Sequence, residues 1–496
     1  MAAADQPVPR PRPSVPHLEE TARAWLVGRP DPAALLPPDA LVAAALQLPF
    51  ITVNRGHEPA IATLDDTVER VACLLLGARR PPVPLRPPES PGDCVCQRLP
   101  ALAVRRVLLS GSSRECSQVL LIDGETKSDL DVMFELAGAD VCWPGEAEVP
   151  PEPGSTRLWV RPSQQEGFVL LEFEQHAECR HRERPLFSAA EVRDLLRAHP
   201  ALFGGREPGR AGPASTTAVR PYLPYPCDLL VCLPLRRWPS EEYGARRRPA
   251  DWPPPGLVRA LCATPALLVP VGCTPQEEHQ WRLSFSRHEY AVYRALTDRQ
   301  RDCFVLLKHC KAALGAGALP GLKSYYLKTA LLWLAERRPP GDWEDVYGSM
   351  LAVLTLVSEA AGRGILSCYF NAEMNVLTGR TEAELTELAE SAASLAGRLT
   401  SCLAALTASC LQQFTVEQLL ERLLLPPAPP LDMGRELAEG CRAPMVEPDH
   451  GADILLLSWL DRAENVEPGD PINFRRRGLC LPGLRDRWLV GEMEEK

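Results

Sequence analysis

A chain of 496 residues with 45% hydrophobic residues is long enough to bury a sizeable core in two or three structural units. Its net charge of −10 argues against a protein coated with positive charge for nucleic acid, although a local basic groove stays open. The 17 cysteines are odd in number and irregularly spaced, and the N-terminus MAAADQPVPRPRPSVPHLEE lacks the charged start, apolar core and cleavage site of a signal peptide. Disulfides are therefore not expected, and a reducing compartment is, the cytoplasm or the nucleus.

Residues 1–17 are proline-rich and read as disordered. Residues 18–80 read as helical pieces ending in TLDDTVERVACLLLGARR, with Thr63 as N-cap and Asp65 and Asp66 in the first turn. The uncharged window from Ala40 to Asn54 is the best candidate for a membrane span. It is shorter than the roughly 20 residues a span needs and contains Pro49, so no transmembrane segment is expected. A proline-rich break follows at 81–93.

Residues 94–286 have an α/β texture. VRRVLLSGSS, SQVLLID, LDVMFELAG, TRLWVR, GFVLLEFE and CDLLVCLPL read as strands, and SAAEVRDLLRAHPALF as a helix capped by Ser188. Residues 287–425 change to long helical patterns, among them RALTDRQRDCFVLLKHCKAAL, SYYLKTALLWLAERR and one long helix from Thr381 to Cys410. Residues 426–496 are again proline-rich and irregular. The fold class is α+β: a mixed-sheet lobe with flanking helices, followed by an all-helical lobe.

The segment SDLDVM places two acids, Asp129 and Asp131, inside an apolar strand. Side chains at i and i+2 share one face of a strand, so the two carboxylates stand side by side while Leu130 and Val132 face the opposite way. Adjacent anions repel unless a cation or a proton holds them. Mg²⁺ is a natural partner, because it prefers oxygen ligands and is often held by one or two carboxylates plus substrate phosphates. Upstream, Gly111-Ser112 forms a small-residue turn whose N–H groups can meet phosphate oxygens. Downstream, Asp228 is a third acid in an apolar strand. Two acids on one strand and one on a neighbour suit two-metal phosphoryl or nucleotidyl transfer. The plainer alternative is that these are strand-edge acids facing water.

The strings LSGSS, SDLDVMFEL, CDLLVCLPLRRWP, LVPVG, QWRLSFSRHE, CFVLLKHCK, SYYLKTALLW and GILSCYFNAEMNVL occur in this order over roughly residues 100–400. In this the chain resembles the male-abnormal-twenty-one (Mab-type) nucleotidyltransferase-fold proteins, the family that includes cyclic GMP-AMP synthase and the cGAS-like receptors. The resemblance implies a bilobal nucleotidyltransferase fold with a nucleotide cleft between the lobes. It implies that Gly111 and Ser112 contact phosphate, and that Asp129, Asp131 and Asp228 hold Mg²⁺ or Mn²⁺, with Asp228 helping to activate the attacking hydroxyl. It places Arg282, Ser284 and Ser286 along the cleft, Lys308 on phosphate, and Ser324 and Tyr325 at the nucleotide, the tyrosine stacking on a base. ATP and GTP are the implied substrates. Synthesis of a cyclic dinucleotide on sensing a ligand, such as double-stranded nucleic acid, is its furthest implication.

Several positions have plainer readings. Trp281 and Phe285 suit a core, Arg282 suits an ion pair, Lys308 and Lys328 suit a solvated helix face, and one of Tyr325 and Tyr326 packs inward. The basic clusters Arg180–Arg184, Arg236-Arg237, Arg246–Arg248 and Arg475–Arg477 read as solvated loop charges. The chain also departs from the family pattern. QVLLIDGETK lengthens the interval between Ser112 and the acids, and RHEYAVYRALTDRQRDC offers His288 and Cys303 without a clustered ligand set, so no zinc is expected. A non-catalytic nucleotide-binding or adaptor member of the same family remains the second reading.

Overall fold

A computed structural model describes residues 38–46, 68–69, 72, 81–85, 100–115, 117, 119, 130–145, 150–151, 153–174, 184–198, 209–211, 215–218, 227–237, 240–273, 277–315 and 317–413. The expectations for residues 1–17, for Thr63, for Asp129, for most of SQVLLID, for residues 180–183 and for residues 414–496 fall outside them.

In chain order the elements are α1 (Pro38–Ala45), β1 (Val83–Pro84), β2 (Ala103–Ser110), α2 (Gly111–Arg114), β3 (Leu130–Ala137), β4 (Ala139–Cys142), β5 (Thr156–Pro162) and β6 (Phe168–Phe173). Then come α3 (Ala189–Asp194), β7 (Gly209–Ala211), β8 (Ser215–Ala218), β9 (Cys227–Pro234), α4 (Glu242–Ala245), α5 (Pro255–Cys262), β10 (Leu267–Val269) and β11 (Gln280–Ser284). From α6 (Ser286–Arg294) onward the elements are helical: α7 (Asp298–Ala313), α8 (Ser324–Arg337), α9 (Val346–Arg363), α10 (Glu382–Gly397) and α11 (Leu399–Gln413). The protein is α+β, with a large mixed sheet and a helical lobe, an arrangement compatible with a bilobal nucleotidyltransferase-like fold.

The sheet runs β1-β2-β3-β9-β10-β11-β6-β5-β4, with β7 and β8 branching from β9. β2 and β3 are antiparallel, and β3 and β9 are parallel. A bridge between Val141 and Leu235 brings β4 back to the end of β9, so this half of the sheet curls on itself. Alternation sets the two faces. Val132, Phe134 and Leu136 of β3 and Leu229, Val231 and Leu233 of β9 enter the main core. Met133 and Cys232 join Leu267, Val269 and Val271 in a small apolar cluster on the other face.

The helices begin where the sequence supplies caps. Thr297 and Gln300 form a capping box at α7, and Thr381 and Glu384 form another at α10. Asp345 accepts from the Gly348 amide at 2.7 Å to start α9, and Gly364 ends it in the left-handed conformation. The pattern read as one helix from Thr381 to Cys410 is two helices, broken at Arg398. Gly397, a poor helix former, weakens the chain at that point. The segment RALTDRQ is likewise divided, because Thr297 caps a new helix.

α1 packs against α11, and Thr407 Oγ1 lies 3.4 Å from the Leu41 carbonyl. The apolar window that begins at Ala40 thus opens with a core helix in which Leu41 and Ala45 are fully buried. Among the described residues, no helix is long and apolar enough to cross a membrane. Trp281 is fully buried and stacks on Phe187 at 5.5 Å, and Phe285 stacks on Phe370 at 5.4 Å, so both aromatic residues of WRLSFS belong to the core.

Arg246 ties the end of α4 to the helical lobe. It grips Glu242 with Nε at 2.6 Å and Nη2 at 2.9 Å, and donates to the Tyr369 carbonyl at 2.8 Å. It also pairs with the buried Glu336 and lies 4.3 Å above the Trp333 ring. Removing it leaves the buried Glu336 carboxylate with the Tyr369 hydroxyl at 2.9 Å and Arg248 at 3.5 Å. Arg246→Ala should lose about 3–5 kcal/mol of stability in urea unfolding, and Arg246→Lys should recover only part, because an ammonium cannot reproduce the bidentate fork.

Two histidines are buried as well. His288 lies 3.1 Å from the Thr264 carbonyl and His309 lies 2.8 Å from the Val305 carbonyl. Burial pushes both down to about 4. The unfolded chain therefore binds more protons than the native one between the ordinary histidine value and that figure. Stability should fall as pH drops from about 6.5 to 4, by up to about 1.4 kcal/mol per pH unit for each histidine. Denaturant midpoints across that range check this, and His309→Gln should remove one histidine's share.

Candidate functional site

The parallel register of β3 and β9 sets Asp131 directly opposite Asp228. Neighbouring strands lie about 4.8 Å apart, so the two side chains emerge side by side on one face. Ser110 stands opposite Asp131 on β2, and Thr217 stands opposite Asp228 on β8. Four polar residues thus form one row across four strands. Asp131 and Asp228 are half-buried, with the apolar cluster around Met133 and Cys232 adjoining them on the same face.

The turn after β2 fits tightly onto this row. Gly111 has φ +58, and a Cβ placed on it would sit 2.0 Å from Asp131 Oδ2. Glycine is therefore required twice, by the left-handed backbone and by the carboxylate beside it. Ser112 follows at once in α2.

Arg282 and Ser284 reach the same sheet face. On β10, Leu267 pairs with Ser284 and Val269 pairs with Arg282. Leu267 and Val269 belong to the Met133 cluster, so the register carries the acids' face across to β11. The alternate residues Trp281 and Leu283 turn into the core. Arg282 keeps access to solvent, yet the surrounding protein desolvates its guanidinium and lowers its pKa, against the pull of Tyr325 and Glu289. Ser286, the first residue of α6, lies 3.2 Å from Met133 Sδ.

The helical lobe sends two lysines back to the turn. Lys308 of α7 is buried; its ammonium donates to Ser112 Oγ at 2.6 Å, to the Ser117 carbonyl, and to Ser117 Oγ at 3.4 Å. Lys328 of α8 is also buried; it donates to Glu115 Oε1 at 2.7 Å and to Glu289. Neither lysine is on a solvated helix face, which corrects the plainer reading of both. Burial alone would lower the Lys328 pKa, but Glu115 and Glu289 hold it above the ordinary lysine value. Burial raises the Glu115 carboxyl, with Lys328 opposing. Ser324 opens α8, and Tyr325 beside it lies near the Lys328 ammonium, 5.9 Å from ring centroid to nitrogen. Burial pushes the Tyr325 phenol well above its usual value, with Cys368 and Glu289 adding to it. Tyr326 packs inward.

The structure therefore gathers Gly111, Ser112, Asp131, Asp228, Arg282, Ser284 and Lys308 around one sheet face and the turn above it. Tyr325 stands within electrostatic reach of Arg282. Asp129 lies outside the described residues. Among those residues no group of three His, Cys, Asp or Glu side chains gathers as a metal site. Asp131 and Asp228 are a pair of hard oxygen donors, which fits Mg²⁺ or Mn²⁺. His288 and Cys303, the two candidate zinc ligands, are both buried in the core.

Sequence reasoning missed Glu115 and Glu289 as partners of Lys328. It also missed a basic group on the acids' side of the sheet. Arg106 lies opposite Glu135 in the β2–β3 register, and Arg287 pairs with Glu135. Burial, then Arg106, Arg114 and Arg105, push Arg287 down to about 10. Arg114 lies 4.5 Å from the centroid of the Tyr290 ring. By contrast, the basic runs visible in the sequence are largely neutralised: Arg236 pairs with Asp140 at 2.8 Å, Arg237 with Glu241 at 2.6 Å, and Arg248 with Glu336 at 3.5 Å.

Residues 299–394 match the family model of the Mab-21 protein HhH/H2TH-like domain. The match spans α7, α8 and α9 and most of α10, and so includes Lys308, Ser324, Tyr325 and Lys328. It supports membership of the Mab-21 family, whose known relation is to cGAS-like proteins, and a nucleotidyltransferase-like character for the chain.

Gly111→Ala tests the packing of the turn on the acids. It should cost about 1–3 kcal/mol in thermal unfolding through backbone strain alone, and displacement of Asp131 should add to that loss. Gly145→Ala, a positive-φ glycine with open space around it, should lose only the backbone part.

Proposed function

We propose that this chain is a metal-dependent nucleotidyltransferase that uses ATP or GTP. The observation that carries the reading is the register of Asp131 on Asp228, with Gly111 closed onto Asp131. Asp131 and Asp228 would hold Mg²⁺ or Mn²⁺, with Asp129 of the same segment as the third acid. The metal would supply charge neutralisation for the phosphates and a more acidic attacking hydroxyl. Ser112 and Lys308 would meet the phosphates, Arg282, Ser284 and Ser286 would line the cleft, and Ser324 and Tyr325 would receive the nucleoside. Tyr325 offers the aromatic face on which any base can stack.

An activating ligand of this reading is double-stranded nucleic acid, and the group Arg105, Arg106, Arg114 and Arg287 supplies the local positive charge for it. Such a contact would weaken steeply with salt. A chain with this activity belongs where nucleoside triphosphates are held and thiols stay reduced, in the cytoplasm or the nucleus.

The second reading, a nucleotide-binding scaffold without turnover, is favoured by the engagement of Lys308 and Lys328 with the chain's own residues. Purified protein incubated with Mn²⁺ or Mg²⁺, the four nucleoside triphosphates and double-stranded RNA or DNA separates the two. We expect a nucleotidyl product, reduced roughly a hundredfold or more in Asp131→Asn. Metal-insensitive nucleotide binding with no product under any ligand would instead establish the scaffold.

A further inference from the structure

The Lys328 site is over-supplied with negative charge. One buried ammonium receives two carboxylates, Glu115 at 2.7 Å and Glu289. Glu115 is 5% exposed and also lies within the electrostatic field of Lys308. The two lysines come from successive helices of the helical lobe, whereas Glu115 stands three residues after Ser112, at the end of the turn that packs on Asp131. A carboxylate bonded to one desolvated ammonium, with a second held on the residues either side of it, stands in a phosphate oxygen's place: an anionic acceptor in a cationic, water-poor seat.

The covalent tether points the same way. α2 is only four residues long, and Lys308 fixes its start through Ser112 while fixing the chain beyond it through Ser117. Glu115 lies between those two anchors. If the cluster served stability alone, one carboxylate would satisfy the lysine better than two. Burying Glu115 beside Glu289 costs desolvation that its bond to Lys328 does not fully offset, and the raised Glu115 carboxyl reflects that cost.

We propose that Glu115 is a built-in occupant of an anion seat formed by Lys328 and Lys308, and that the oligophosphate tail of a nucleotide enters by displacing it. The inference rests on the nucleotide-binding reading above and adds its regulation. In this state the chain holds the phosphate seat closed with its own carboxylate. Ligand binding exchanges one anion for another and frees the segment around Glu115 from the helical lobe. No bond is made or broken in the exchange.

Titration calorimetry of the full chain with inorganic tripolyphosphate tests this without requiring any reaction. Glu115→Gln keeps the side-chain volume and removes the competing charge. It should bind tripolyphosphate about tenfold or more tightly than the wild type. In the wild type, added tripolyphosphate should speed amide hydrogen exchange within residues 111–119, a readout that survives if the variant folds poorly. Equal or weaker binding by Glu115→Gln, no binding by either protein, or unchanged or slower exchange in 111–119 would each overturn the proposal. An arm with Mg²⁺-ATP distinguishes the source of the phosphate. If ATP also speeds that exchange, the seat serves nucleotides; if tripolyphosphate alone does, the displacement stands and the nucleotide reading falls. Nucleotidyl product formed without tighter binding by Glu115→Gln would sink the displacement and leave the enzymatic reading intact.

Discussion

Parallel pairing of β3 with β9 sets Asp131 against Asp228, and the acids themselves cannot be what holds that register. Two carboxylates on adjacent strands repel. The pairing is fixed from the opposite face, where Val132, Phe134, Leu229 and Val231 enter the core. A slip of one residue would turn every side chain of the strand over, burying the acids and exposing the apolar set. Hydrophobic burial thus keeps two carboxylates side by side, the arrangement that the proposed cation site requires. The turn at Gly111 and the row from Ser110 to Thr217 depend on the same alignment.

The helical lobe answers this negative edge with positive charge. Lys308 and Lys328 are carried on amphipathic helices, yet they point to the turn and not to water. Their stems cross apolar surface while their ammonium groups find oxygen acceptors. Through Ser112, Ser117 and Glu115 they bind the segment next to the acids to the lobe that carries the Mab-21 match. Arg246 makes an independent second tie between the α4 region and the same lobe. The two ties differ in kind. Arg246 sits in a bidentate, aromatic-lined lock, whereas Lys328 is shared by two carboxylates.

Much of this was legible in the sequence, for physical reasons that can be named. Alternation around Asp131 and Asp228 announced strands with a polar face, and the change to helical periodicity falls close to Ser286. The cap at Ser188 marked a helix start by local chemistry, whereas Thr297 and Asp345, which start α7 and α9, were read through. What was not legible is long-range. Nothing near residue 115 says that its acid meets a lysine more than two hundred positions away, and nothing in LSGSSREC distinguishes a buried glutamate from a solvated one. The same holds for positive charge. Adjacent arginines such as Arg236 and Arg237 find separate acids, whereas Arg106, Arg114 and Arg287, far apart in sequence, converge. The break at Arg398 was masked because apolar spacing continues through it.

The proposed function requires Asp131 and Asp228 to act as one cation site. Manganese affinity measured on the wild type, Asp131→Asn, Asp228→Asn and the double variant tests it most directly. If both acids hold one ion, either single change should remove most of the affinity and the double change should lose little more, as groups acting as a unit do not add. Manganese binding that survives both substitutions, or losses that simply add, would contradict the account.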